Sequence, residues 1–303
     1  MKRVRPFILM LWGSLLLSAA AHGGEIRSYE SEAYILLFDE SLVHTAKEVI
    51  QIYPRLKQSL ENTFAWRMSR RPSILIVNHD RFRNMAESPL TVAFAVPKKN
   101  LIALDYSRIK AHPFSLELTQ KHELCHLLLH EHIPTVMLPR WLDEGVAQWV
   151  SDGLVDIVMD QRRSHLNRVV LQRSFIPFHR LERGFPYQET ALILSYEQSK
   201  SFISHIIGKF GKKGILDVLN HMKNGRDVNT AFSLALAVTL DDLEQDWHHA
   251  LRRRVTWFTY FSYHLYEILF GLMSVITVAG FIRILIKKRK YRDEDWDEPV
   301  TLH

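Results

Sequence analysis

The chain has 303 residues, 47% of them hydrophobic and 24% charged, which is room and composition for one medium-sized globular domain with appendages. Of its formal charge of +6, Lys2, Arg3 and Arg5 supply three and residues 283–303 a net one, leaving only two for the long middle. That is too dilute for an electrostatic nucleic-acid reader, and the single cysteine, Cys125, excludes an intramolecular disulfide.

At the N-terminus KRVR (2–5) precedes the apolar run PFILMLWGSLLLS (6–18) and the small residues Ala19, Ala20 and Ala21. This order predicts a signal peptide over residues 1–23, cleaved after Ala21 or Gly23. Residues 24–254 contain no low-complexity linker and no repeat, and are read as one extracytoplasmic domain. AYILLF (33–38) suits a strand, and Ser41 is placed to cap a long amphipathic helix whose apolar stripe is Val43, Ala46, Val49, Ile50, Tyr53, Leu56 and Leu60. SILIV (73–77) reads as a buried strand, residues 81–87 as a short helix, and 91–96 and 100–104 as strands joined by a turn at Pro97-Lys98-Lys99.

From residue 114 onward the pattern is helical, broken at Pro134, Pro139, Gly153, Pro177 and Pro186, with short helices near 213–222, 227–237 and 240–252. The expected fold class is therefore α+β: a small mixed sheet in the N-terminal half, then a helical half. Residues 255–286 hold an aromatic segment (Trp257, Phe258, Tyr260, Phe261, Tyr263, Tyr266) and an apolar run, 268–286, long enough at about 1.5 Å per residue to cross a bilayer core. The cations of KKRKYR (287–292) follow at once, so the positive-inside rule puts residues 287–303 in the cytoplasm and the domain outside. The three arginines 252–254 on the outer flank run against that rule and are assigned to the last helix of the domain. The acidic stretch 293–298 is expected to be solvated and unstructured, and its cytoplasmic partner, if it has one, is not specified by its residues. A bacterial inner membrane, with the domain periplasmic, is the expected location.

The chemistry-bearing motif is His122-Glu123-Leu124-Cys125-His126, on a helix expected from Ser115 to about His130. Residues four apart on a helix differ by only about 40° around its axis, so His122 and His126 can share one ion. Glu123 stands beside them where a carboxylate can take a proton from water without being a ligand. A third ligand is offered by Glu144 in PRWLDEGVAQWV (139–150), on a second helix antiparallel to the first, anchored by Trp141, Leu142, Val146 and Trp149. Two histidines and one glutamate with an open position form a hydrolytic zinc site. His130 and His132 are alternative ligands by spacing, Asp143 is better suited to orienting a ligand imidazole, and Cys125 is read as a packing residue.

HExxH followed by WLxEGxA resembles the gluzincins, and within them the peptidase MA-like family of thermolysin-type zinc hydrolases. The resemblance takes in LSYEQS (194–199), Phe202, Phe210-Gly211 and Leu243 to Trp247, and so covers about residues 30–252. It implies zinc held by His122, His126 and Glu144, Glu123 as general base, a tyrosine from a later helix (Tyr196) as oxyanion donor, and an edge strand at 100–104 that aligns an extended peptide. A zinc metallopeptidase acting on peptide or protein substrates is the leading expectation. A zinc-keeping binding protein and a hydrolase of cell-wall amides are the alternatives, and the intact Glu123 weighs against the first.

Overall fold

The computed structural model describes residues 26–86, 91–109, 115–151, 165–254, 261–262 and 264–294. The expected signal peptide, the aromatic segment before residue 261 and Gly153 lie outside them. The chain divides into two units, residues 1–249 and 250–303.

Five strands make one mixed sheet: β1 (Ile26–Glu30), β2 (Ile35–Asp39), β3 (Ser73–Val77), β4 (Ala93–Val96) and β5 (Leu101–Asp105), in the order β1-β2-β3-β5-β4. The inner pairs β2–β3 and β3–β5 are parallel, while β1 and β4 are added antiparallel at the two edges. The fold class is the α+β expected, but β1 was not foreseen. IRSYE is mostly polar because an edge strand in partial contact with solvent needs no continuous apolar run. The central strands β3 and β5 are buried at every position.

Helix α1 (Val43–Phe64) connects β2 to β3. Ser41 does not cap it; Glu40–Leu42 form a 3-10 turn that runs straight into α1, so the hydroxyl sits inside helical backbone. Its buried stripe includes Ile52 rather than Ile50, and Pro54 is accommodated on the exposed side. Short helices α2 (His79–Arg83) and α3 (Tyr106–Ile109) follow β3 and β5. Phe82 of α2 packs with Leu75, Val77, Leu101 and Ala103 on one sheet face, where Phe94 and Val96 join it. By strand alternation Ala93 and Ala95 point to the opposite face, on which α4 (Leu116–His132) packs.

The helical half continues with α5 (Arg140–Val150), α6 (His165–Gln172), α7 (Glu189–Lys223), α8 (Val228–Leu236) and α9 (Leu240–Arg254). A single short helix near 213–222 was expected; instead that segment is the second arm of α7, whose two arms meet at Gly211. Gly211 has φ +72°, a left-handed conformation that a side chain would oppose, so the chain turns there without a loop. Trp141, Phe178, Phe202, Phe232 and Trp247, all fully buried, form the aromatic centre of this half.

In the second unit, α10 (Leu265–Glu294) contains 25 residues, Leu265–Arg289, long and apolar enough to cross a membrane, and its apolar side chains are exposed. It extends beyond the expected boundary at 286, through the cationic run to Glu294. The expectation that the acidic stretch is unstructured therefore fails for Asp293 and Glu294: no Gly or Pro interrupts the helix before them.

Candidate metal centre

Helix α4 begins at Ser115, whose hydroxyl accepts from Leu118 N, and its side chains are buried on almost every side from Leu116 to Leu129. A helix buried all round is a central element that cannot shift without disturbing the whole core. It therefore gives His122 and His126 a fixed position. Helix α5 starts after Pro139 and packs on α4 through one side and on α7 through the other. Gly145 makes the second contact possible: a Cβ there would stand 2.6 Å from Ile203 Cγ1 and 2.7 Å from the Ser199 carbonyl oxygen.

The two helices bring His122, His126 and Glu144 into one buried group whose candidate ligand atoms lie within 4.8 Å of one another. The two Nε2 atoms are 3.2 Å apart, and Glu144 Oε2 is 3.5 Å from that of His122 and 3.7 Å from that of His126. Ligand atoms about 2.0–2.1 Å from a tetrahedral ion stand about 3.3–3.4 Å from one another, so these separations fit one metal ion. Glu144 Oε2 is buried and has no hydrogen-bond partner, a costly arrangement for a carboxylate oxygen that an ion would relieve.

Each imidazole is held from behind. Ser151 Oγ donates to the Ala147 carbonyl and lies 3.3 Å from His122 Nδ1, so it accepts from that ring; Asp143 Oδ1 accepts from His126 Nδ1 at 2.7 Å. Both rings are thereby set with Nδ1 protonated and Nε2 turned toward the centre. His130, weighed as a ligand, bonds Asp143 Oδ2 at 3.0 Å and Thr135 Oγ1 at 3.0 Å, and His132 reaches the Arg67 carbonyl. Neither belongs to the ligand group. Cys125 is fully buried, and burial pushes its thiol pKa up.

Two contributors escaped the sequence reading. Ser151 carries no motif signal. Arg140 does, one helical turn before Glu144, a spacing at which opposite charges meet. Its Nη2 stands 2.5 Å from Glu144 Oε1 and its Nη1 3.6 Å from Asp143 Oδ2.

Burial raises the Asp143 and Glu144 carboxyls, but His126 and His130 around the first and Arg140 and His126 around the second more than reverse it. Asp143 is held far below the carboxylate range and Glu144 at about 2. His126, disfavoured as a cation by burial, is raised to about 9 by Asp143 and Glu144. Burial pushes Glu123 up against the opposing pull of His122 and His126. Tyr196 is pushed up by Glu144 and by burial.

His122, Glu123, His126, His130, Arg140, Asp143, Glu144 and Tyr196 border a cleft of about 1830 Å³, which β4, Phe185 and Tyr187 also line. The structure thus brings Glu123 and Tyr196 to the same cleft as the ligand group. The expected substrate-aligning strand at 100–104 is not at the edge: β5 is paired on both sides, and β4 is the edge strand bordering the cleft.

The model of the Peptidase MA superfamily matches residues 94–253. No curated protein matches in a sequence search. Among solved structures, yeast LTA4 hydrolase in complex with bestatin is 13% identical over 76% of this chain and 37% of its own, with a TM-score of 0.44. A mutant M1 zinc metallopeptidase from Deinococcus radiodurans is also 13% identical, over 77% of this chain and 52% of its own, with a TM-score of 0.42. The chain therefore spans between about a third and a half of the length of these proteins.

Proposed function

Since the chain belongs to the Peptidase MA superfamily, we propose that it is a zinc-dependent peptidase in which His122, His126 and Glu144 hold the ion and Glu123 is the general base. The observation that carries this reading is the buried Glu144 Oε2, without a hydrogen-bond partner among the described residues, facing the Nε2 atoms of His122 and His126 at ligand separations, with Glu123 on the same cleft.

Zinc, when bound, supplies a Lewis acid for the scissile carbonyl and makes water acidic enough to yield hydroxide near neutrality. The protein residues do the remaining work. Asp143 and Ser151 accept from the two Nδ1 atoms and fix the imidazoles in direction, so that Nε2 is the atom each ring offers to the ion. Glu123 accepts the proton of the attacking water and returns it to the departing amide nitrogen, a role helped by burial, which brings a carboxyl pKa up toward working pH. Tyr196 donates its O–H to the carbonyl oxygen as negative charge develops there. The free edge of β4 pairs with an extended peptide, and Ala93 and Ala95 leave room beside it.

In this reading α10 anchors the enzyme by one span in a bacterial inner membrane, with the domain periplasmic and the cationic end of the helix in the cytoplasm. Substrates are peptides or proteins outside the membrane.

The test uses the full chain in detergent: metal content by elemental analysis, and cleavage of a mixed peptide library by wild type and Glu123→Gln. Close to one zinc per chain in both, with cleavage lost in the variant alone, is expected. Absence of zinc refutes the metal assignment, and zinc without cleavage by wild type refutes the peptidase.

A further inference from the structure

The guanidinium of Arg140 stands against two carboxylates of the site. Its Nη2 lies 2.5 Å from Glu144 Oε1 and its Nη1 3.6 Å from Asp143 Oδ2, while Glu144 Oε2, the atom that faces His122 and His126, has no hydrogen-bond partner among the described residues. The position of Arg140 is itself fixed from the backbone, because its N–H donates to the Glu182 carbonyl at 2.8 Å, independently of the side chain.

A carboxylate beside a metal ion can offer one oxygen or two. With Oε1 committed to a charge-assisted bond, Glu144 has one left to give, which keeps the coordination number low and a position open.

Resting on the zinc-peptidase reading above, we propose that Arg140 is a positioning residue: it holds Glu144 Oε1 and so restricts Glu144 to single-oxygen ligation through Oε2.

The experiment compares wild type, Arg140→Gln and Arg140→Lys as full chains in detergent. Two readouts are taken: zinc affinity by chelator competition and the visible spectrum of the cobalt-substituted protein. With Glu144 Oε1 released, Arg140→Gln is expected to bind zinc about 10- to 100-fold more weakly and to lower the cobalt absorptivity as coordination rises. Arg140→Lys, which keeps the charge but not the fork, restores part of the affinity.

A folded Arg140→Gln protein with wild-type zinc affinity and cobalt spectrum overturns the proposal. Should Arg140→Gln fail to fold, Arg140→Lys decides by the same readouts. A wild-type protein that takes up neither zinc nor cobalt overturns the functional reading itself.

Discussion

Asp143 accepts from two histidines of the same helix: His126 Nδ1 is 2.7 Å from its Oδ1 and His130 Nε2 is 3.0 Å from its Oδ2. One carboxylate of α5 thereby clamps two successive turns of α4 and orients a proposed ligand. Asp143→Asn keeps the shape but replaces charge-assisted bonds by neutral ones. Zinc affinity is expected to fall about 10- to 100-fold, measured by competition with a chromophoric chelator. An unchanged affinity would remove Asp143 from the account of the metal site.

Gly145→Ala tests the approach of α5 to α7. The added methyl meets Ile203 Cγ1 and a backbone carbonyl, Ser199, and a backbone atom cannot swing aside. Overpacking of this kind costs about 1–3 kcal/mol. Thermal unfolding of the full chain should show a lower Tm together with weaker zinc binding, since the displaced helix carries Glu144; a Tm equal to wild type contradicts the packing argument.

The metal-free protein should have a stability plateau between about pH 4.5 and 6.5. Glu144 has its folded pKa lowered to about 2, so its contribution is complete above its ordinary value and disappears as pH falls through 2. His126 has its folded pKa raised to about 9, so its contribution is complete below 6.5 and disappears as pH rises through 9. Zinc needs the neutral imidazole and must displace that proton, so affinity should rise about tenfold per pH unit between 6.5 and 9. Calorimetry in buffers of different ionisation enthalpy at pH 7.5 counts the proton; release of none contradicts the assignment.

Tyr196→Phe removes the proposed oxyanion donor and little else. A loss in kcat of about 10²- to 10³-fold with nearly unchanged KM is expected. Equal losses in binding and turnover would instead make Tyr196 a packing residue.

Orientation in the membrane is testable because Cys125, the one native thiol, is fully buried. Thr301→Cys then reports on the C-terminal end alone. In intact spheroplasts it should resist an impermeant maleimide and react only after permeabilisation; labelling without permeabilisation reverses the topology.

The parts of this fold that could be read from the sequence are those where one physical signal dominates. SILIV (73–77) has four successive apolar residues behind Pro72 and Ser73, and the strand occupies Ser73–Val77 and no others. Helix α4 starts where it was expected, behind Ser115, and ends before Pro134, close to the expected limit. His122, His126 and Glu144 were legible as a group because ligand spacing on a helix is set by its 3.6-residue turn. Less legible were features decided at long range. Strand order depends on crossovers, so residues 100–104 looked like an edge until β4 was seen paired outside β5. Ser41 looked like a cap because nothing local announces that a 3-10 turn precedes α1. Ser151 has a role only because a helix distant in sequence brings His122 to it.

All three proposed ligands fall between positions 122 and 144, on two antiparallel helices joined by a short connection, whereas Tyr196 and β4 are supplied from other parts of the chain. Closing so short a loop costs little entropy and is fast compared with assembling a sheet from distant strands. The metal-holding hairpin can therefore form early, while the substrate wall and the hydroxyl donor come into register only when α7 docks and the sheet is complete. If the proposed function holds, a newly made chain captures its ion before it can cut anything, an order of events that spares an incompletely folded protease from digesting its own neighbours.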